Sequence, residues 1–333
     1  MLETMKHPKL LTQLSIIGAG AWGTMLALLL AQKGHVVKLW TRHQADATTI
    51  NHQRENKRYL PHLTLPDNLT ASSDLNECAS DIVIIAVPSQ ALREVMSQLP
   101  QVAGLVCATK GLELRSFKRF SQVLAEYQPQ ATLAALSGPN LAKEIAQGLP
   151  ATTIVASSDK GFAERVQGYF HQKNFRVYAS DDVIGVELGG ALKNIIALAA
   201  GMCEALALGD NAKAALVTRG LAEILRFSVG LGARAETIFG LAGLGDLLAT
   251  CSSPLSRNHR AGQLLAQGKT LADLKAAHIT TEGIPTCEAV YHYSQKNNIS
   301  MPISHEVYEV IFNHKPAQQA IESLLARDSK NEW

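Results

Sequence analysis

From Gln13 onward, short continuous apolar runs alternate with amphipathic stretches. LSIIG, VVKLW, DIVIIAV, GLVCAT, TLAAL and ATTIVAS (151–157) read as strands, with a helix from the end of the first to about Lys33 and helical segments between some of the others. β-branched runs without polar alternation indicate strands buried on both faces, and intervening helices indicate parallel crossovers. The expected architecture is α/β, a Rossmann-like doubly wound sheet. Past about Asp181 the pattern changes to long Ala/Leu-rich helical stretches over 183–208 and 212–231, broken by glycine-rich turns. The chain is therefore expected to comprise a tail over 1–12, a nucleotide-binding domain over 13–181 and an all-helical domain over 182–333. Its 333 residues suit two domains of ordinary size.

Composition narrows the class. Hydrophobic residues are 47% and charged residues 18%, which indicates extensive burial and excludes disorder. Lys plus Arg minus Asp plus Glu is 31 − 29 = +2, so no global field favours nucleic acid or a membrane surface, and any anion site must be local. Cys78, Cys107, Cys203, Cys251 and Cys287 are odd in number and contain no CxxC pair, which suits a reduced cytoplasm and argues against a disulfide framework or a metal site. Glu187 and Lys193 interrupt the apolar run over 183–201, and no membrane insertion is expected. The first residues lack the long apolar region of a secretory signal. The apolar content of the helical domain is compatible with a homodimer.

Directly after the first strand stands Gly18-Ala19-Gly20-Ala21-Trp22-Gly23, with an amphipathic helix behind it. Gly18 would permit the tight turn, Gly20 would let backbone approach a pyrophosphate, and Gly23 would let helix and strand pack closely; the helix N-terminus supplies N–H donors. Where an NAD-preferring site carries an acid after the second strand, this chain reads Leu39-Trp40-Thr41-Arg42-His43. Arg42 can pair a 2′-phosphate bidentately, with His43 as a polar neighbour, which points to NADPH. Arg42 as a solvated residue in an enzyme accepting NADH as well is the other reading.

In such sheets ligands bind beyond the carboxyl ends of the strands. Val87-Pro88-Ser89-Gln90, Lys110-Gly111 and Ser137-Gly138-Pro139-Asn140 all follow strands. Lys110 could hold a phosphate or a carbonyl oxygen, or be an ordinary surface lysine. The Ser-Gly-Pro-Asn loop opens a helix near Ala142 whose amides could face an anion, although a helix start with Pro in the first turn would look the same. Glu187-Leu188-Gly189-Gly190-Ala191-Leu192-Lys193-Asn194 puts two glycines inside a helix, at about 1 kcal/mol each relative to Ala. They lie on the side over which Lys193 leans and leave room there for a ligand or a backbone. A desolvated Lys193 could move protons near neutral pH, or it could snorkel outward from a tight helix crossing. Asp246, in Gly243-Leu244-Gly245-Asp246, could orient that lysine or a substrate hydroxyl, and Ser256-Arg257-Asn258 suits a phosphate. Asp246 as an N-cap paired with Arg257 is the simpler alternative.

Taken together, GAGAWGTMLA, VPSQ, TKGLE, SGPNLAKE, ELGGALKNIIALAAG, GLGDLLATC, SRN and Glu282-Gly283 resemble the bacterial-type NAD(P)-dependent glycerol-3-phosphate dehydrogenases over about residues 14–325. The resemblance implies a Rossmann domain followed by a 6-phosphogluconate dehydrogenase-like helical domain. It further implies reversible reduction of dihydroxyacetone phosphate, a phosphorylated three-carbon substrate, to sn-glycerol 3-phosphate for glycerophospholipid synthesis. By this matching Lys193 takes the catalytic position. Lys110, Gly138, Asn194, Asp246, Ser256, Arg257 and Asn258 are expected toward substrate, and Gly18, Gly20, Trp22, Gly23, Arg42, His43, Lys110, Ala142, Arg257, Thr280 and Glu282 toward NADPH or NADH. Another reductase of the 6-phosphogluconate dehydrogenase-like group, or a non-catalytic NADPH sensor, would share part of this pattern.

Overall fold

The structure, a computed structural model, describes residues 12–329 and Asn331, so the expected tail, Thr12 apart, lies outside the described residues. Strands β1 (Gln13–Ile17), β2 (Val36–Trp40), β3 (Leu69–Ser72), β4 (Ile82–Ile85), β5 (Gly104–Cys107), β6 (Thr132–Ser137), β7 (Ala151–Ala156) and β8 (Phe175–Ser180) form one sheet in the order β3-β2-β1-β4-β5-β6-β7-β8. Helices α1 (Ala21–Gln32), α2 (Gln44–Gln53), α3 (Leu92–Met96), α4 (Phe120–Tyr127), α5 (Ala142–Ala146) and α6 (Lys160–Phe170) accompany it. Alternate strand residues feed two cores. Leu14, Ile16 and Leu39 pack with Leu26 and Leu30 of α1 and Phe162 and Phe170 of α6, while Ile17, Val83, Ile85 and Leu105 pack with Val95 of α3 and Val123 of α4.

The sheet departs from the parallel expectation at one place. β1 to β6 are parallel, β7 runs antiparallel to β6, and β8 is parallel to β7. No long crossover helix separates β6 from β7, only the five-residue α5, and without a crossover the chain must return in the opposite direction.

The helical half comprises α7 (Val183–Ala205), α8 (Gly209–Gly230), α9 (Ala235–Phe239), a π-helical turn (Leu241–Gly245), α10 (Asp246–Ser252), α11 (Arg257–Ala266), α12 (Leu271–Ala276), α13 (Gly283–Lys296), α14 (Pro302–Phe312) and α15 (Ala317–Leu325). α7 is its axis, packed by α8, α10, α11 and α13. By length and composition it could cross a membrane, yet it is buried almost end to end inside the protein. Glycines set its crossing with α11. A Cβ on Gly201 would stand 1.9 Å from the His259 carbonyl oxygen, and one on Gly262 2.0 Å from that of Leu198.

α7 also joins the two halves. Ala135 of β6, Ala156 of β7, Val186 of α7 and Ala242 of the π-helical turn share one small core. The buried Glu187 carboxylate accepts from Arg119 Nη1 (2.6 Å), Ser121 N (2.7 Å) and Ser121 Oγ (2.6 Å), fastening α7 to the start of α4.

Candidate active site

The glycine turn after β1 has the three properties its spacing predicts. Gly18 has φ +118° and donates its N–H to Trp40 O at 3.1 Å; a Cβ on Gly23 would stand 1.9 Å from Gly18 O; the Cβ position of Gly20 faces open space. Gly20 is the N-cap of α1, no side chain caps that end, and its first turn holds no acidic residue. The first amides of a twelve-residue helix are thus left to an incoming anion, and these residues fit a dinucleotide pyrophosphate. Trp22 packs against the same core with its ring 6.5 Å from Phe175, and its indole N–H is buried without a partner. α5, which begins at Ala142, lies beside α1. Beyond β2, Arg42 and His43 are exposed, His43 as the N-cap of α2, and Arg42 Nη2 meets Glu94 Oε2 of α3 at 3.3 Å.

The chemistry-bearing groups converge where the two halves meet. Lys193, from α7, donates to Asp246 Oδ1 at 2.5 Å and to Thr250 Oγ1 at 2.6 Å. Lys110, just after β5, donates to Asp246 Oδ2 at 2.6 Å and to the Gly138 carbonyl at 3.1 Å. The Asp246 and Lys193 side chains are only 3% and 7% exposed and Lys110 18%, so Lys193 does not snorkel outward. Burial brings the Lys193 ammonium down to about 8; Asp246 pulls it upward and Lys110 adds to the depression. One carboxylate and two ammonium groups leave the cluster at +1 when both lysines are charged, a partly desolvated excess that a substrate oxyanion or phosphate would balance. Asp246 is the first residue of α10, yet its carboxylate serves the lysines, and no ion pair to Arg257 forms among the described residues.

The adjacent glycines make room for protein atoms. A Cβ on Gly189 would stand 2.8 Å from the Ala242 carbonyl, and one on Gly190 2.3 Å from Ser137 Oγ, a buried hydroxyl with no partner. Gly138 adopts φ +145°, which turns the loop after β6. Asn140 ties that loop to β7, donating to Thr152 O at 2.8 Å and accepting from Thr153 Oγ1 at 2.9 Å. α5 begins after Leu141, so Pro139 precedes it and does not occupy its first turn as the alternative reading had it.

A second group surrounds α11. Ser256 caps it by accepting from His259 N at 3.1 Å, Arg257 is exposed on its first turn, and Asn258 donates to Asn194 Oδ1 and accepts from Gly283 N, both at 2.9 Å. Glu282 Oε1 accepts from Ser89 N at 3.2 Å, bringing the loop before α13 to the turn after β4, and its Oε2 is buried without a partner. Burial raises the Glu282 carboxyl above its usual range, partly countered by Ser89 and Arg257. Thr280 is exposed in the same loop.

Thr250 and Glu94 were not among the residues expected from sequence, and Ser137 was expected only as part of the Ser137-Gly138-Pro139-Asn140 turn. Thr250 had a signal, since it stands four residues after Asp246 on one helix and so shares its face.

Comparison with known proteins identifies the family. The sequence model of the NAD-dependent glycerol-3-phosphate dehydrogenase N-terminus matches residues 13–163, and that of the C-terminus residues 182–322. The chain is 43% identical over 329 residues to a Clostridium perfringens glycerol-3-phosphate dehydrogenase [NAD(P)+], covering 97% of this chain and 99% of that one. It is 46% identical to the Chlorobium limicola protein of the same name, covering 96% and 99%. The crystal structure of glycerol-3-phosphate dehydrogenase from Coxiella burnetii superposes with a TM-score of 0.91 at 38% identity, covering 95% of this chain and 99% of that one. Relatives this similar span both the sheet that carries Lys110 and the helices that carry Lys193, and the chain accordingly belongs to the NAD-dependent glycerol-3-phosphate dehydrogenase family.

Proposed function

We propose that this enzyme catalyses the reversible NAD(P)H-dependent reduction of dihydroxyacetone phosphate to sn-glycerol 3-phosphate, feeding glycerophospholipid synthesis, with Lys193 as the general acid and base. The observation that carries this reading is the shared carboxylate: Asp246 receives Lys193 and Lys110 from the two halves of the molecule, on separate oxygens.

When bound, the nicotinamide supplies hydride to the ketone carbon or accepts it from the carbinol. Lys193 has three N–H donors; Asp246 and Thr250 take two, and the third serves the substrate oxygen. Thr250 is held for this role because its own hydroxyl donates to Asp246 O at 2.7 Å, leaving its lone pairs to the ammonium. In reduction Lys193 gives a proton to the developing alkoxide and is left neutral; in oxidation the neutral amine takes the hydroxyl proton. Lys110 likewise spends two donors on Asp246 and Gly138 and keeps one to polarise the same oxygen. Arg257 and Asn258 act on the phosphate, with Ser256 and Asn194 holding them in place. Arg42 and His43 face the 2′-phosphate of NADPH, and Glu282 and Thr280 also serve the cofactor. We divide the chain between residues 181 and 182 and place it in the cytoplasm, supported by five free, buried cysteines.

The test is NADPH oxidation at 340 nm with dihydroxyacetone phosphate, together with NADPH binding, for the wild type and Lys193→Ala. Turnover by the wild type and its loss in a variant that still binds NADPH support the reading. A wild type that binds NADPH and turns over no ketone phosphate overturns it.

A further inference from the structure

The Arg42–Glu94 ion pair has a placement its exposed setting conceals. Arg42 stands two residues past the end of β2, and Glu94 lies on α3, the helix that follows β4. β2 and β4 are the two neighbours of β1 in the sheet. A bridge of 3.3 Å therefore joins the segments that follow the two strands flanking β1, and β1 itself ends in the Gly18–Gly20 turn, where the open Cβ position of Gly20 marks the dinucleotide cleft. Resting on the reading that Arg42 faces the 2′-phosphate, we propose that Glu94 is a specificity-determining residue, a carboxylate that competes with the 2′-phosphate for the Arg42 guanidinium and so restrains the preference for NADPH over NADH.

The argument is one of charge. A 2′-phosphate can engage the guanidinium fork only by displacing the Glu94 carboxylate, and the two anions repel if both stay. A ribose 2′-hydroxyl is neutral and does neither. Glu94 thus weakens binding of the phosphorylated cofactor and leaves the other nearly untouched. Both side chains are more than half exposed, at 54% and 63%, so the effect is a modest one that salt diminishes.

The experiment is calorimetric titration of the whole enzyme with NADP+ and NAD+, without substrate, at low and high salt, for the wild type, Glu94→Gln, Arg42→Ala and the double variant. Glu94→Gln is expected to tighten NADP+ by about two- to fivefold at low salt, and less at high salt, with NAD+ unchanged. In the Arg42→Ala background the same change is expected to have a smaller effect, because only the direct repulsion between the two anions is then left to relieve. Equal effects on both nucleotides, or none on NADP+ while Arg42→Ala still lowers the NADP+/NAD+ ratio, overturn the role of Glu94 alone. A ratio unmoved by Arg42→Ala overturns the assignment of Arg42 and the inference with it.

Discussion

Lys110 and Lys193 approach one carboxylate from opposite halves of the protein, each within 2.6 Å of its own Asp246 oxygen. Asp246 thus fixes two proton donors at once. Asp246→Asn is expected to lower kcat by roughly 10²- to 10⁴-fold, the range for loss of positioned acid–base catalysis, with a smaller change in NADPH affinity. Steady-state kinetics beside NADPH titration checks this; a loss confined to cofactor binding would contradict it.

The Lys193 ammonium, brought to about 8 by burial, gives the two directions opposite pH profiles. Reduction uses the protonated form and should decline as pH rises through about 8; oxidation uses the neutral form and should rise through the same value. In Asp246→Asn the carboxylate that holds the ammonium up is gone, and both midpoints should move to lower pH. Profiles of kcat/KM for each direction provide the measurement.

Glycines of α7 should differ in their tolerance of a methyl group. Gly201 faces the backbone oxygen of His259, which can move only with α11, whereas Gly190 faces Ser137 Oγ, which can rotate away. Gly201→Ala is expected to cost about 2–3 kcal/mol and to raise KM for the phosphorylated substrate, because α11 carries Arg257 and Asn258. Gly190→Ala should cost less, and Ser137→Ala should relieve part of that cost. Urea unfolding of the single and double variants would show the order.

Glu223 of α8 is buried and accepts from Ile303 N (2.6 Å), Ser304 N (3.1 Å) and Ser304 Oγ (3.0 Å), capping α14 from another helix. Burial raises its carboxyl from 4.5 to about 7, although those donors pull it back. Between these values the folded state holds a proton that the unfolded chain releases. Its contribution is therefore complete below about pH 4.5 and is lost as pH rises through about 7. The urea midpoint should fall over this window in the wild type and much less in Glu223→Gln.

The strands with continuous apolar runs, the glycine turn and Lys193 were all legible in the sequence, because each depends on local pattern. β3 (LTAS) and β8 (FRVYAS) were not: the first is short and half polar, and the second alternates buried and exposed residues at the edge of the sheet. The reversal at β7 was also hidden, since a strand's own residues do not state its direction. Lys193 stood out through its glycines, but its partners are 53 and 57 residues away, and Ser89 is 193 residues from Glu282. Such pairings depend on how α7 settles on the sheet.

That seating of α7, with Gly190 against Ser137, has a consequence for incomplete chains. A product of premature termination or of cleavage near residue 181 would keep an intact glycine turn and Lys110 but neither Lys193 nor Asp246. Such a fragment could still compete for the cofactor pool while turning nothing over, and its uncovered β6 face, Ala135 included, would mark it for aggregation or degradation.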